Sequence, residues 1–307
     1  MTRVHTLTGN LLAERTQEFP DWAAGRTQRA VQETFQAGGK GINVSKMLTR
    51  LGAPTTALFF SGGPAGAECE AWVRGQGIEY RAFPAARPTR LGLVVRAPGR
   101  PETTFLGPDV PPDAPAVQAC ADYLDACAMG DVLAVCGSAP GWDTDVFDPI
   151  RAAMTRWLAR GPVVADTYGP PLGWLSHQAL AWVKLNRVEF EALFPETERN
   201  RPMKERLAAL LERRHVRAWI VSDGARPVWL AERGGEPAEF APPKVNEISP
   251  TGSGDVLHAC MIHAVFHHQR SLPDALTLAL PYASANAAHP GVVDFPLNNL
   301  SFFGSNP

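Results

Sequence analysis

The sequence predicts an α/β protein in which helices cover both faces of a central, mostly parallel sheet. Two observations support this prediction. From residue 116 onward, short apolar strands alternate with segments of helical periodicity, the pattern of repeated strand and helix units. Several of these strands, such as residues 131–136, are apolar at almost every position, as in parallel strands that are buried on both faces.

In the first part of the chain, a short opening strand is followed by a helix, a strand, a second helix and a hairpin. Residues 42–52 carry apolar side chains at helical spacing and end at Gly52, which predicts a helix. Residues 55–61 form an apolar run before two glycines and predict a buried strand, and a further helix follows over residues 65–76. Residues 87–108 contain two strand-like segments joined by Ala-Pro-Gly, which predicts a hairpin that projects from the body.

The rest of the chain repeats one pattern, a helix followed by a strand. The predicted strands end in a hairpin-like region that reaches residue 248. The predicted helices cover residues 116–129, 143–159, 172–179, 187–194 and 202–214, with two more beginning near 253 and 273, and the strands cover 131–136, 162–166, 182–185 and 218–221.

The composition points to small, freely diffusing partners. The 307 residues carry a net charge of -2 and no basic run, which argues against nucleic acid and anionic membranes as partners. The five cysteines are widely spaced and odd in number, which favours buried thiols in a reducing cytoplasm. The N-terminus lacks the apolar core of a signal peptide, and no apolar run approaches the roughly 20 residues of a membrane helix. We therefore expect a cytoplasmic protein.

The segment with the clearest chemistry is residues 251–255 (Thr-Gly-Ser-Gly-Asp), which precedes an apolar helical stretch. Gly252, Ser253 and Gly254 are small, so backbone N–H groups at the helix start can converge on one phosphate and form an anion hole. Asp255 follows, where a carboxylate can accept the proton of an attacking hydroxyl. Taken alone, the segment is equally compatible with a glycine turn followed by an acid that compensates the helix dipole.

Five other segments, taken together with this one, resemble the signatures of one enzyme family. Residues 37–44 (Ala-Gly-Gly-Lys-Gly-Ile-Asn-Val) resemble the first signature of the PfkB carbohydrate kinases, the ribokinase-like family, and residues 249–255 resemble the second. The other partial matches follow in the family's order: residues 136–140 with its Gly-Ser-Leu-Pro turn, 184–189 with its Lys-Pro-Asn-x-x-Glu segment, 221–224 with its nucleotide loop and 283–291 with its C-terminal helix.

The resemblance implies a fold and an assembly. It implies a single ribokinase-like, Rossmann-like three-layer α/β/α domain over residues 1–307, with a small β lid from about residues 10–36 and 87–108. The active site would lie between sheet and lid, and lid closure would exclude water from it. Because lid strands leave open edges, we expect a homodimer formed through the lid.

The resemblance also implies an ATP-dependent sugar kinase and assigns roles to matching positions. Asp255 is expected to be the catalytic base and Gly252, Ser253 and Gly254 the anion hole. The residues expected to contact the substrate are Glu14, Gly39, Lys40, Asn43, Arg90, Ser138 and Asp255. Those expected to contact the nucleotide are Asn186, Ser222, Gly224, Thr251, Gly252, Gly254 and Asn286.

Asn186 and Glu189 are further expected to orient Mg²⁺ and its waters around the ATP phosphates. A hard cation that bridges phosphates takes one or two oxygen ligands from the protein and keeps several waters. The alternative for the same two residues is an ordinary helix cap followed by a first-turn acid.

Within the family, the chain resembles the branch that phosphorylates sugar phosphates, of the 1-phosphofructokinase and tagatose-6-phosphate kinase type. Lys40 and Arg90 would attract a phosphate already present on the substrate. Three positions depart from the branch: Glu14 replaces an Asp, Leu106 lies where a polar residue is usual, and Val256 replaces a small hydroxyl residue. The first two changes are expected to alter which sugar hydroxyls are tolerated.

Two alternatives remain open on the sequence. A sugar or nucleoside without a phosphate group would use the same transfer chemistry. A kinase-like sensor that binds sugar or nucleotide without turnover is suggested by the changes in the lid but opposed by the intact Asp255 and its glycine turn. A nicotinamide-dependent oxidoreductase has little support, because no Gly-x-Gly-x-x-Gly follows the first strand.

Overall fold

The computed structural model describes residues 2–297 and residue 300. The strands, in chain order, are β1 Val4–Thr8, β2 Leu12–Glu18, β3 Gln32–Gly38, β4 Thr55–Ser61, β5 Tyr80–Pro84, β6 Arg90–Arg96, β7 Thr103–Leu106, β8 Val132–Cys136, β9 Val163–Asp166, β10 Trp182–Asn186, β11 Ala218–Asp223, β12 Arg226–Glu232 and β13 Ala238–Phe240. The α-helices are α1 Lys40–Arg50, α2 Gly63–Gly75, α3 Ala114–Ala126, α4 Asp148–Leu158, α5 Pro170–Leu175, α6 Arg187–Glu191, α7 Glu196–Arg199, α8 Met203–Arg213, α9 Ser253–His268 and α10 Leu272–Ala287.

The larger sheet has nine strands in the order β13-β12-β11-β10-β9-β8-β1-β4-β5. Neighbouring strands from β5 to β11 are parallel, and β12 and β13 add an antiparallel edge. Parallel strands need crossover connections, and helices supply most of them here. The predicted mostly parallel sheet is therefore confirmed.

Alternate residues of the central strands enter two different cores. In β8, Leu133 and Val135 belong to the core formed with α3, α4 and α8. Val132 and Ala134 belong to the core formed with α1, α9 and α10. This alternation follows from the two-residue period of a strand, and it produces the three predicted layers.

The smaller sheet has four strands in the order β3-β2-β6-β7. β2 and β6 are parallel, whereas β2 with β3 and β6 with β7 form antiparallel pairs. In the register, Glu14 lies opposite Gln36 on one side and Gly92 on the other. These strands fall almost entirely within the segments predicted to form the lid, and we call this sheet the lid.

No helix within the described residues is long and apolar enough to span a membrane. All five cysteines carry free thiols; four are buried, as predicted, whereas Cys127 is half-buried because it lies at the C-terminal end of α3.

Candidate active site

The carboxyl ends of the parallel strands bring distant polar residues to one edge of the sheet. Asp166 ends β9 and lies opposite Cys136, the last residue of β8. Asn186 ends β10 and lies opposite Ser222 of β11. Ligands of open α/β sheets bind beyond this edge, so the topology places the predicted residues where a site is expected.

The phosphate turn, residues 251–254, leads into α9 through a backbone that requires glycine. Gly252 has φ 79°, in the left-handed region, and a Cβ atom there would lie 2.6 Å from Val292 Cγ1. The helix then starts at Ser253. The first N–H groups of a helix have no intrahelical acceptor. Here the Ser253 N–H donates to Pro250 O at 3.1 Å, and the N–H groups of Gly252 and Gly254 can face an anion at the positive end of the helix dipole.

Asp255 lies in the first turn of α9 with its carboxylate buried. Asn43 Nδ2 on α1 donates to Asp255 Oδ2 at 2.7 Å. Burial, and then the negative charge of Asp166, raise the pKa of Asp255 to about 6, against the opposing effects of Lys40 and Lys184. A carboxylate with that pKa is ionised near neutral pH and is still basic enough to take a proton.

A buried ion cluster lies beside Asp255. Lys40 Nζ is 2.7 Å from Asp166 Oδ1 and 2.9 Å from Glu189 Oε1, and Lys184 Nζ is 2.8 Å from Asp166 Oδ2. Burial alone would raise the pKa of Asp166, but the two lysines hold it well below its usual range. Burial would likewise lower the pKa of Lys40, but Asp166 and Glu189 raise it above the ordinary value. Lys40 and Asp166 are therefore charged.

Lys184 lies directly against the phosphate turn. A Cβ atom at Gly254 would collide with Lys184 Nζ. Glycine at this position therefore lets a buried ammonium group approach the turn and add positive charge to the N–H groups there.

Asn186 and Glu189 form a reciprocal cap at the start of α6. Asn186 Oδ1 accepts from the Glu189 N–H at 2.9 Å, and Glu189 Oε2 accepts from the Asn186 N–H at 2.9 Å. The two residues therefore form the helix cap, which leaves the Glu189 Oε1 atom with Lys40. Ser222 lies next to them, with its hydroxyl 3.4 Å from Leu185 O, and Gly224 has φ 57° in the following turn.

Asn286 of α10 braces the phosphate turn. Its Nδ2 donates to Thr251 O at 2.9 Å and to Ser253 Oγ at 3.0 Å, and its Oδ1 accepts from Val293 N–H at 2.8 Å. Both ends of this buried amide are thus engaged with protein atoms, which makes Asn286 a support for the turn.

The residues predicted to contact the sugar fall into two groups. Gly39, with φ 134°, and Asn43 stand at the start of α1 beside Asp255. Ser138 and Arg90 are linked through other side chains: Asn10 Nδ2 donates to Ser138 Oγ at 3.0 Å and to Asp109 Oδ1 at 2.8 Å, and Arg90 NH1 donates to Asp109 Oδ1 at 2.9 Å. Arg90 Nε, although buried, has no acceptor among the described residues.

Glu14, on lid strand β2, lines a cavity of about 340 Å³ between the lid and the body. Gln36 donates to its carboxylate, and burial raises the pKa of Glu14. The cavity is also bordered by Thr251, whose hydroxyl donates to Glu102 Oε1 in the turn of the lid hairpin at 3.1 Å. The lid therefore touches the phosphate turn, while Arg90 and Ser138 lie outside this cavity.

A model of the "pfkB family carbohydrate kinase" domain matches residues 9–298. The chain belongs to the pfkB family of carbohydrate kinases. As a member of this family, the protein is a sugar kinase. Such an enzyme is a phosphotransferase that uses ATP as the phosphoryl donor and an alcohol group as the acceptor.

Curated relatives agree over nearly the full length of this pfkB family kinase. The chain is 27% identical to a 1-phosphofructokinase of Borreliella burgdorferi over 296 residues, covering 95% of this chain and 94% of that protein. It is 26% identical to a 1-phosphofructokinase of Bacillus subtilis over 290 residues, covering 92% of each.

Solved structures agree in fold. Phosphofructokinase-2 from Escherichia coli in complex with fructose-6-phosphate superposes with a TM-score of 0.83 at 20% identity, over 94% of each chain. Ribokinase from Thermotoga maritima superposes with a TM-score of 0.72 at 17% identity, over 96% of each chain. The predicted ribokinase-like fold is therefore confirmed.

Sequence reasoning missed four polar residues that the fold brings to this kinase's site. Lys184 was noted only as the start of a motif, and Asp166 only as the end of a predicted strand, although that position at the carboxyl edge was a usable signal. Asn10 begins the first predicted lid segment and Asp109 follows the second, and neither residue was assigned a role in the site. Lys40, predicted to meet a substrate phosphate, has its charge matched by two carboxylates, so Arg90 is the freer cation.

Proposed function

We propose that this protein transfers the γ-phosphate of ATP to a hydroxyl of a sugar phosphate, as a kinase of the 1-phosphofructokinase or tagatose-6-phosphate kinase type. One observation carries the proposal: a buried carboxylate with a raised pKa, Asp255, stands at the start of α9 directly after the phosphate turn. Two observations support a phosphorylated acceptor. The relatives that match over nearly the full length are named 1-phosphofructokinase, and the buried Arg90 Nε has no hydrogen-bond acceptor among the described residues.

In this proposal Asp255 is the catalytic base. The acceptor hydroxyl would donate its proton to the carboxylate as its oxygen attacks the γ-phosphorus. Asn43 orients the carboxylate through the 2.7 Å hydrogen bond from its amide. Because Asn43 stands on α1 beside Gly39, the same helix start would align the sugar and the base.

The phosphate turn would stabilise the charge on the phosphoryl group in transit. The N–H groups of Gly252 and Gly254 would supply hydrogen-bond donors, whereas the Ser253 N–H already donates to Pro250 O at 3.1 Å. The ammonium group of Lys184, which lies against Gly254, would add positive charge beneath the turn.

The nucleotide would lie along the carboxyl edge of the sheet. Ser222, Gly224 and Asn186 would border ATP there, and Thr251 and the turn would meet its phosphates. Asn286 would act by holding the turn, because its amide is occupied by protein atoms.

The residues present fit Mg²⁺ as a partner of ATP. The side-chain oxygens of Asn186 and Glu189 already accept hydrogen bonds in the helix cap and from Lys40, so these residues would meet the ion through its waters. An open set of oxygen donors suits Mg²⁺, which keeps several waters and binds phosphates. When bound, Mg²⁺ would neutralise phosphate oxygens, with Asn186 and Glu189 orienting its waters.

The acceptor would bind between α1 and the lid. We propose that Glu14, Gly39 and Asn43 contact its hydroxyls, and that Arg90, Lys40 and Ser138 attract its phosphate. Glu14 is longer than the Asp usual in this branch, so it would select a different set of hydroxyls. Contact between the lid and Thr251 would exclude water from the transfer.

A kinase assay tests the acceptor class. The panel would contain fructose 1-phosphate, fructose 6-phosphate, tagatose 6-phosphate, fructose, ribose and adenosine. We expect turnover with a sugar phosphate, and we expect Arg90→Ala to raise its KM by about tenfold or more, since a bidentate charged contact is lost. Arg81→Ala, at an exposed position of β5, is the matched control.

Other results would redirect the proposal. Turnover of fructose, ribose or adenosine alone, unaffected by Arg90→Ala, would support an unphosphorylated acceptor. Tight binding of ligands without ATP consumption would support a sensor.

We further propose a single domain that forms a cytoplasmic homodimer through the lid. The neighbouring lid strands β6 and β7 carry large exposed apolar side chains, among them Leu91 of β6 at 63% and Phe105 of β7 at 55% exposure. Light scattering would give the mass in solution. Phe105→Asp should convert a dimer to monomers, whereas Met129→Asp, a control far from the lid at 84% exposure, should not. A monomeric wild-type protein would contradict the proposal.

A further inference from the structure

The segment after α10, which we call the 292–295 loop, is tied to α1 by a buried lysine. Lys46 Nζ donates to Val292 O at 2.9 Å and to Asp294 Oδ1 at 2.6 Å. Its ammonium group also lies 5.3 Å from the centre of the Trp72 ring. The Lys46 side chain is only 6% exposed, so its charge is committed to this loop.

A second cation of α1 holds the same loop in a strained shape. Arg50 NH1 donates to Val293 O and NH2 to Phe295 O, both at 2.6 Å. Val293 has φ 58°, a conformation that a β-branched residue adopts only when its surroundings impose it. The loop's position therefore depends on the side chains of α1.

The opposite side of the 292–295 loop contacts the phosphate turn. Val292 Cγ1 is the atom that a Cβ at Gly252 would meet at 2.6 Å, so loop and turn pack with no space between them. Asn286 adds a polar link, because it accepts from Val293 N–H and donates to Thr251 O. A displacement of the loop would thus move the turn.

We propose that Lys46 is a positioning residue for phosphoryl transfer, which fixes the phosphate turn through Val292 and Asp294. This inference rests on the proposed function of the turn. α1 also carries Asn43, one turn earlier, which holds Asp255. A single helix would then place both the base and the anion hole, and a shift of about 1 Å in such a pair costs on the order of a hundredfold in rate.

Replacement of Lys46 by alanine, with chemical rescue, tests the proposal. We expect Lys46→Ala to lower kcat by about tenfold or more, with the KM of the sugar substrate changed by less than about threefold. Propylamine supplies, as an ammonium ion, the three carbons and the nitrogen that the substitution removes. Because Lys46 borders the cavity of about 340 Å³ under the lid, the amine has a route to the site, and it should restore kcat by about threefold or more.

The matched control is Arg160→Ala, at the other end of the sheet. Arg160 also donates to backbone carbonyls, those of Asp125 and Cys127, and lies over a tryptophan ring, that of Trp157 at 5.0 Å. The Arg160→Ala variant should have a lower melting temperature than wild type and a kcat within about twofold of it. An equal loss of kcat in both variants would show a general effect of stability and overturn the proposal.

A second variant covers the case in which Lys46→Ala does not fold. Asp294→Asn keeps the lysine but weakens its charge partner, and we expect kcat to fall by about threefold or more at unchanged sugar KM. Unchanged kcat in the folded variants, or a raised sugar KM with unchanged kcat, would overturn the proposal. Asp255→Asn, measured in parallel, separates failure of the proposed function from failure of this inference. If Asp255→Asn keeps wild-type turnover, the proposed function fails. If Asp255→Asn loses turnover while Lys46→Ala keeps a normal kcat, only the inference about Lys46 is rejected.

Discussion

The two ends of the central sheet both bury charged groups, but they differ in how those groups are satisfied. At the amino end, Asp131 accepts from the Arg3 N–H at 3.0 Å and lies 3.1 Å from His5 Nε2, and the other ring nitrogen of His5 is 3.5 Å from the Tyr123 hydroxyl. Each polar group of this set has a partner within the protein. The set therefore closes on itself and has the character of a structural network.

At the carboxyl end the charged groups also have partners, but the surroundings of one carboxylate disfavour its charged form. Asp255 is buried with its pKa raised to about 6, which means that its charged form is held at a cost in stability. Gly252 adds a left-handed backbone in front of the start of α9. Burial of charge is common to both ends, and the difference teaches that a destabilised carboxylate beside a strained turn marks the functional end.

The largest effect should come from removing the carboxylate at the carboxyl end. We expect Asp255→Asn to lower kcat about a thousandfold, the usual scale for loss of a general base. Its melting temperature should not fall, because a carboxylate with a raised pKa destabilises the folded state at pH values above that pKa. Steady-state kinetics and calorimetry measure both. Turnover above about a tenth of wild type would remove Asp255 from its proposed role.

A pair of glycine variants compares the two ends at equal backbone strain. Gly252 and Gly130, which precedes β8, have φ 79° and 87°, so alanine costs about 1 kcal/mol at either position. At Gly252 the new Cβ also meets Val292 at 2.6 Å, whereas at Gly130 nothing lies within 4 Å. Gly252→Ala should therefore lower kcat by about tenfold or more, and Gly130→Ala should leave it unchanged. Equal kinetics in the two variants would mean that the turn's position does not matter.

The smallest change in activity should follow a substitution in the amino-end network. Asp131→Asn weakens the contacts with His5 and the Arg3 N–H, and we expect it to destabilise the protein by about 1–3 kcal/mol. Its kcat should stay within about twofold of wild type, because no proposed site residue touches this network. Denaturant unfolding and a kinase assay measure the two quantities. A large loss of kcat at normal stability would show that the two ends are coupled.

The central sheet was predictable because its strands are almost wholly apolar. Residues 131–136 and 182–185, for example, were assigned within one residue of β8 and β10. The lid strands β2 and β3 gave no such local signal. In β2, Leu12–Glu18, polar and charged residues occupy both faces beyond Ala13, so no two-residue apolar period was available.

The candidate site was predictable where its parts are local motifs. Gly252 lies within a few residues of Asp255 in the sequence, and Asn186 lies equally close to Glu189. Asp166 and Lys184 belong to the same ion cluster as Lys40, 126 residues from Asp166 in the chain, and only the order of strands in the sheet brings them together. That order follows from packing of the whole domain, which single-sequence patterns do not contain.

The pH dependence of kcat/KM tests the central claim most directly, that a buried carboxylate with a raised pKa accepts the proton of the acceptor. Because only ionised Asp255 acts as a base, kcat/KM should rise about tenfold per pH unit below the pKa of about 6 and level off above it. Substrate phosphates titrate in the same range, so the wild-type rate should be divided by the residual rate of Asp255→Asn at each pH. The account predicts that this ratio still rises to a plateau above about pH 6, and a ratio that is flat from about pH 5 to about pH 8 would contradict it.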